Sequence, residues 1–216
     1  MDKMKYLYVN GDSYADGLDD NNFGIRFKNR WSTILSKKLD LKEINQSESG
    51  GSNDRITRTT LEWFDNNRDK WDEVFVAIGW TFSFRKEIYD SVNDRWEQDQ
   101  KTKDKEIEYI YNEKLYSLNM RNHILLLQYF FKSNNIKYHF HIAFGENPSN
   151  YISDTLVDDS YFLDISFMDF VRSLDSTFFD KRIKRWDGSE MSGFNRHPTE
   201  KEHILWADKL YNEIQI

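Results

Sequence analysis

The sequence predicts a three-layer α/β/α sandwich on a mostly parallel sheet. Three observations predict it. Short apolar runs alternate with segments of helical period along the 216 residues, and such alternation implies crossover connections and helices on both sheet faces. The run Val74-Phe75-Val76-Ala77-Ile78 is continuously apolar, as a strand covered on both faces must be. The glycine-bearing turns Gly11-Asp12-Ser13, Gly50-Gly51 and Gly79 all follow predicted strands, at the carboxyl edge where open α/β sheets bind ligands.

Residues 5–10 read as the first strand. Trp31 to Leu39 reads as a helix with Trp31, Ile34, Leu35 and Leu39 on one side, the spacing of an amphipathic helix. Glu43-Ile44-Asn45 is a short second strand. After the glycine-rich turn, Asn53 or Asp54 is expected to cap a helix whose inner face carries Ile56, Thr60 and Trp63. Glu73 to Ile78 is the third strand. The highly charged residues 86–115 read as an insertion or flap, with a solvated helical excursion the favoured form. Met120, Ile124, Leu127 and Phe131 mark a long helix ending near Asn134-Asn135, and Lys137 to Ala143 a fourth strand. The segment 145–190 shows no clear period beyond a short helix over Ile165 to Leu174. A last helix follows Pro198 with Ile204, Ala207, Tyr211 and Ile214 as its buried stripe, and proline suits its first turn. The whole reads as one domain.

Composition narrows the function. The net charge of −7 argues against nucleic acid and against anionic membranes as partners. The chain has no cysteine, which excludes disulfides, thiolate metal sites and cysteine nucleophiles. No apolar run is long enough for a bilayer-spanning helix, and a soluble, cytoplasmic protein is expected. The 16 Phe, 12 Tyr and 7 Trp supply a large buried area from few residues.

The chemistry concentrates at the strand ends. Gly11 permits a sharp turn, and a helix starting just after Ser13 aims free N–H groups at any anion formed there. Serine needs a base to become nucleophilic, and His197, in Phe194-Asn195-Arg196-His197-Pro198, is the candidate. Backbone N–H groups of Ser13 and of the Gly50-Gly51 turn are candidate oxyanion donors. Asp12 is expected to order the turn by accepting backbone hydrogen bonds. His139 and His141 alternate on a strand and share a face; they read as core histidines, with a metal pair as the lesser alternative. An aspartyl nucleophile at Asp12 or Asp16 finds no supporting lysine or second acidic motif.

These residues resemble the blocks of the SGNH/GDSL hydrolase family. Gly11-Asp12-Ser13 is similar to the first block. Asn45 to Gly50, with the glycine five residues after the asparagine, is similar to the second. Val76-Ala77-Ile78-Gly79 ends where the third begins, and His197-Pro198, with His203, Trp206 and Ala207, is similar to the last. The resemblance implies a flavodoxin-like sheet and a Ser13 nucleophile paired with His197. The family's third block reads Gly-x-Asn-Asp, so Thr81 stands at the position of its oxyanion-donating asparagine; Asn53 is the alternative donor. The family's acidic triad member falls at Phe194, which leaves Asp187 and Glu190 as nearby candidates or a Ser–His dyad. Trp80 and Arg85 are candidate substrate-binding residues, Arg85 for an anionic or carbonyl group; the alternatives are a core tryptophan and an arginine paired with Glu87.

The function so implied is hydrolysis of an acyl or acetyl ester, on a small molecule or a carbohydrate, through an acyl-serine and without a cofactor. The alternative, motivated by Thr81, Phe194 and the charged segment, is a non-catalytic binding or structural domain of a larger assembly.

Overall fold

The computed structural model describes residues 4–19, 25–99, 113–144, 156–174, 183–184, 190–191 and 197–214. In chain order the elements are β1 (Tyr6–Asn10), α1 (Ser13–Asp16), α2 (Trp31–Lys38), β2 (Lys42–Asn45), α3 (Asn53–Asn66), β3 (Val74–Trp80), β4 (Lys86–Asp90), β5 (Arg95–Asp99), α4 (Glu113–Ser133), β6 (Lys137–Ile142), α5 (Phe167–Leu174), β7 (Ile183–Lys184), β8 (Glu190–Met191) and α6 (Glu200–Glu213). The main sheet runs β2-β1-β3-β6 with every pair parallel. This is the flavodoxin-like order the sequence predicts. A single parallel bridge from Phe162 to Phe140 extends the sheet past β6.

Strand alternation sends successive side chains into two cores. Leu7, Val9, Phe75 and Ala77 face α2, α5 and α6, where Trp31, Leu35, Phe167, Trp206 and Leu210 are buried. Tyr8, Val74, Val76, Ile78 and Trp80 face α3 and α4, against Ile56, Phe64, Leu127 and Phe131. Each large apolar side chain fully buried this way contributes about 1.5–3 kcal/mol. Trp206 stacks flat on Phe167, ring centroids 4.6 Å apart. That contact fixes α6 on α5, and α6 carries the residues that follow His197.

Four local expectations are corrected. The charged segment begins as a hairpin, β4 antiparallel to β5, rather than a helical excursion; Tyr89 pairs across the strands with Trp96, ring centroids 5.2 Å apart, a contact that the charge density obscures. Ser52, not Asn53 or Asp54, caps α3, accepting from Arg55 N–H at 3.2 Å. Thr199 caps α6 through a reciprocal capping box with Glu202, so Pro198 lies before the cap. The buried stripe of α6 is His203, Trp206, Ala207 and Leu210, while Ile204 and Tyr211 are exposed. The period was right and the phase one residue off, because Trp206 buries more area than Ile204 and His203 enters the core uncharged.

Three imidazoles share the core between the sheet and α6. His141 lies between Trp31 and Trp206, ring centroids 5.1 and 5.6 Å away. His203 Nδ1 accepts the N–H of Trp31 at the start of α2, at 3.3 Å, which requires a neutral ring. Burial lowers His139 to about 4; burial, with like charge from neighbouring cations, lowers His141 to about 3 and His203 to about 3. The unfolded chain therefore binds more protons than the folded one below about pH 6.5. Stability is full above that pH and declines as pH falls toward the folded values. The urea midpoint is expected to drop steadily between pH 7 and pH 4.5; a midpoint flat over that window contradicts the burial of three neutral histidines.

Candidate active site

The site is assembled at the carboxyl end of β1. Gly11 leaves no space for a side chain: a Cβ there would lie 2.8 Å from Ala15 Cβ and 3.1 Å from the Gly79 carbonyl. Asp12 caps the single-turn α1. Its backbone carbonyl accepts from Ala15 and Asp16, and its Oδ1 accepts the Tyr14 N–H at 3.0 Å. This disposes of the Tyr14, Ala15 and Asp16 N–H groups and leaves that of Ser13 open. Ser13 itself is nearly buried, and neither its hydroxyl nor its N–H is bonded to any described residue. Gly17, at φ 75°, ends the turn in the left-handed region that favours glycine.

The second strand delivers the glycine turn to the same place. Asn45 donates to Ala15 carbonyl and Ser32 Oγ, both at 3.0 Å, and accepts from Ser47 N–H at 2.8 Å. Glu48 N–H donates to the Gly11 carbonyl, and Ser49 donates to Asp16 at 2.9 Å. Gly50 takes φ 81° in a turn closed by Gly51 N–H on Glu48 O at 2.9 Å, the glycine position of a type II turn. The Gly51 N–H is thereby occupied, whereas the Gly50 N–H has no described partner. Gly51 packs so close to Gly11 and Asp12 that its Cβ would meet the Gly11 carbonyl at 3.3 Å.

The end of β3 closes the floor. Asn53 treats Thr81 as a neighbouring strand would: its Oδ1 accepts Thr81 N–H at 3.0 Å and its Nδ2 donates to Thr81 O at 3.2 Å. The Thr81 hydroxyl donates to Asp12 Oδ2 at 2.6 Å. Both side chains expected to donate to an oxyanion are thus engaged within the protein. Arg85 Nη1 reaches Asp12 Oδ2 at 2.9 Å and Thr81 Oγ1 at 2.8 Å. Its guanidinium lies against the rings of Phe82 and Phe144, 5.2 and 5.4 Å from their centroids. Arg85 is not paired with Glu87, which Arg58 holds at 2.8 Å. Burial pushes the Asp12 carboxyl up, against the opposing pull of Arg85, the Thr81 hydroxyl, the Tyr14 N–H and His197.

His197 approaches from before α6. Its ring meets the Tyr14 ring edge-on at 5.7 Å between centroids, and its charge bears on Asp12. Tyr14 in turn touches Phe144 and Phe167, so the imidazole rests on an aromatic wall running through Phe144 to Phe82. Its ring makes no hydrogen bond to the Ser13 hydroxyl. Trp80 is not a substrate-binding residue; its core alternative holds. β3 alternation turns Trp80 into the core with Val76 and Ile78, where it is fully buried against Phe140. Asp187 and Phe194 lie outside the described residues. His139 and His141 pack in the core rather than at this edge. Sequence reasoning missed the Asp12–Thr81–Arg85 cluster; its one signal was an arginine four residues after a threonine at the strand end.

The fold is similar to that of several solved structures. The chain is similar to an acetyl xylan esterase, AlAXEase, at 15% identity over 97% of this chain and 100% of that one, with a TM-score of 0.54. It is similar to the psychrotrophic esterase EstA of Pseudoalteromonas sp., in a form inhibited by monoethylphosphonate, at 14% identity over 97% and 96% of the chains, TM-score 0.53. It is similar also to TesA, at 13% identity over 97% of each chain, TM-score 0.53. What the chain shares with these proteins is the fold. A family of unknown function, DUF6071, matches residues 13–109. No curated protein sequence matches the chain.

The tight passage at Gly11 is testable. Gly11→Ala forces the elbow away from Ala15 and the Gly79 carbonyl, an overpacking cost of about 1–3 kcal/mol. Thermal unfolding should shift down by several degrees; an unchanged melting temperature contradicts the packing described.

Proposed function

We propose that this protein is a serine ester hydrolase acting through an acyl-serine on an acyl or acetyl ester, with a carbohydrate-borne acetyl group as the favoured substrate. The observation that supports this reading is the set of unpartnered groups at one strand end. The Ser13 hydroxyl, the Ser13 N–H and the Gly50 N–H have no partner among the described residues, and the ring of His197 packs edge-on against that of Tyr14, the residue after Ser13. The occurrence of the same fold in an acetyl xylan esterase supports the substrate class.

In the proposed reaction His197 takes the Ser13 proton as Oγ bonds to the ester carbonyl carbon. The tetrahedral anion is held by the N–H groups of Ser13 and Gly50. His197 then gives its proton to the departing alcohol oxygen as the carbon–oxygen bond breaks. Water repeats the sequence on the acyl-serine, releasing the carboxylic acid and restoring Ser13. No cofactor is required. Asp187 is the proposed orienting carboxylate, and the cytoplasm the proposed location. Closure of the Ser13–His197 hydrogen bond accompanies substrate binding in this reading, since catalytic hydrogen bonds are commonly long before the substrate arrives.

A non-catalytic binding domain is the second reading, favoured by the missing Ser13–His197 bond. Hydrolysis of p-nitrophenyl acetate separates the two. Ser13→Ala and His197→Ala should each lower kcat by about 10³-fold or more with the circular dichroism spectrum unchanged. Equal turnover by wild type and Ser13→Ala removes Ser13 as nucleophile.

A further inference from the structure

We infer that Arg85 is the counter-ion that allows a second negative charge to form beside Asp12, and so a positioning residue for the proposed hydrolysis. The inference rests on the esterase reading and adds to it a role that Thr81 and Asn53 leave unfilled. Thr81 has its one hydroxyl proton on Asp12, and Asn53 has its amide on the Thr81 carbonyl. The Thr81 hydroxyl is thereby spent, and the Asn53 amide is turned to the carbonyls of Thr81 and Phe82, at 3.2 and 3.5 Å.

What the site has instead is a charge problem. Asp12 is fully buried one residue before the nucleophile, and its Oδ1 already occupies the Tyr14 N–H. An ionised carboxylate there opposes any anion formed at the neighbouring Ser13 N–H, because like charges in a desolvated site repel strongly. Arg85 is the cation that meets it, with Nη1 on Asp12 Oδ2 at 2.9 Å and within 3.4 Å of the Gly51 carbonyl. The guanidinium is held by geometry as well as charge. It touches the Phe82 and Phe144 rings and reaches Thr81 Oγ1 at 2.8 Å. Occupying that oxygen turns the Thr81 proton toward Asp12. Arg85 therefore does two things: it neutralises the carboxylate, and it keeps the cap that leaves the Ser13 N–H open. Among the groups acting on Asp12, His197 supplies the other positive charge when it holds the Ser13 proton; Asp16 of α1 is matched by Arg26.

The test is a charge cycle on p-nitrophenyl acetate hydrolysis between pH 6 and 9, with fluorophosphonate labelling of Ser13 as a second readout. Arg85→Met should lower kcat by about 10–100-fold at pH 9, with KM little changed. The deficit should shrink as pH falls, because burial already raises Asp12 and loss of its cation favours the uncharged carboxyl further. Arg85→Lys, which keeps the charge, should retain a tenth of wild-type kcat or more. Asp12→Asn with Arg85→Met carries no buried charge and keeps an acceptor for Tyr14. It should fold even where Arg85→Met does not, recover to within about tenfold of wild type, and lose the pH dependence of the deficit. A folded double variant as inactive as Arg85→Met, or a deficit equal at every pH, overturns the counter-ion role while leaving the esterase reading intact. A wild-type chain that neither turns over nor labels at Ser13 overturns both.

Discussion

Asp12 accepts three hydrogen bonds on two oxygens while wholly withdrawn from solvent: from the Tyr14 N–H, the Thr81 hydroxyl and the Arg85 guanidinium. These donors come from α1, from the end of β3 and from the approach to the hairpin. One carboxylate thus ties three neighbouring segments at the carboxyl edge of the sheet. A buried carboxylate lacking such partners costs several kcal/mol. The segments are therefore constrained to arrive together, and the shape of the Ser13 turn follows from the arrangement.

The rest of the edge is laced to that point by backbone. Glu48 and Ser49 bind the glycine turn to Gly11 and Asp16, and Asn53 binds the start of α3 to Thr81. Absence of side chains matters as much as contacts: at Gly11 and Gly51 the main chains approach too closely for a Cβ. The aromatic wall of Phe82, Phe144 and Tyr14 then gives both Arg85 and His197 a surface to lie on. Rigid aromatic packing beneath charged groups limits their motion without supplying competing hydrogen-bond partners.

Much of the architecture was legible in the sequence because apolar runs and glycine turns obey local rules. Val74 to Ile78 has one reading as a strand, and Gly11-Asp12-Ser13 one reading as a turn at its neighbour's end. What escaped depends on distance. The arginine at 85 could be weighed only against residues near it in sequence, such as Glu87, whereas its partner is Asp12, brought close by the β1–β3 pairing. Trp80 looked like a site residue because it follows Gly79, but strand parity, fixed by Ile78 and Val76, turns it inward. The phase of α6 was set by tertiary burial of Trp206, to which a helical period alone is blind. Charge in the 86–99 segment hid the cross-strand pair of Tyr89 and Trp96 that joins it as a hairpin.

The central claim is that the turn built on Asp12 leaves a serine hydroxyl and two backbone N–H groups for one reacting centre shared with His197. A crystal structure of the protein after reaction with a small fluorophosphonate tests it most directly. The account predicts phosphorus bonded to Ser13 Oγ, the phosphonyl oxygen within hydrogen-bond distance of the Ser13 and Gly50 N–H groups, and His197 facing the adduct. An unmodified Ser13, or an adduct whose oxygen is held by other groups with His197 turned away, contradicts it.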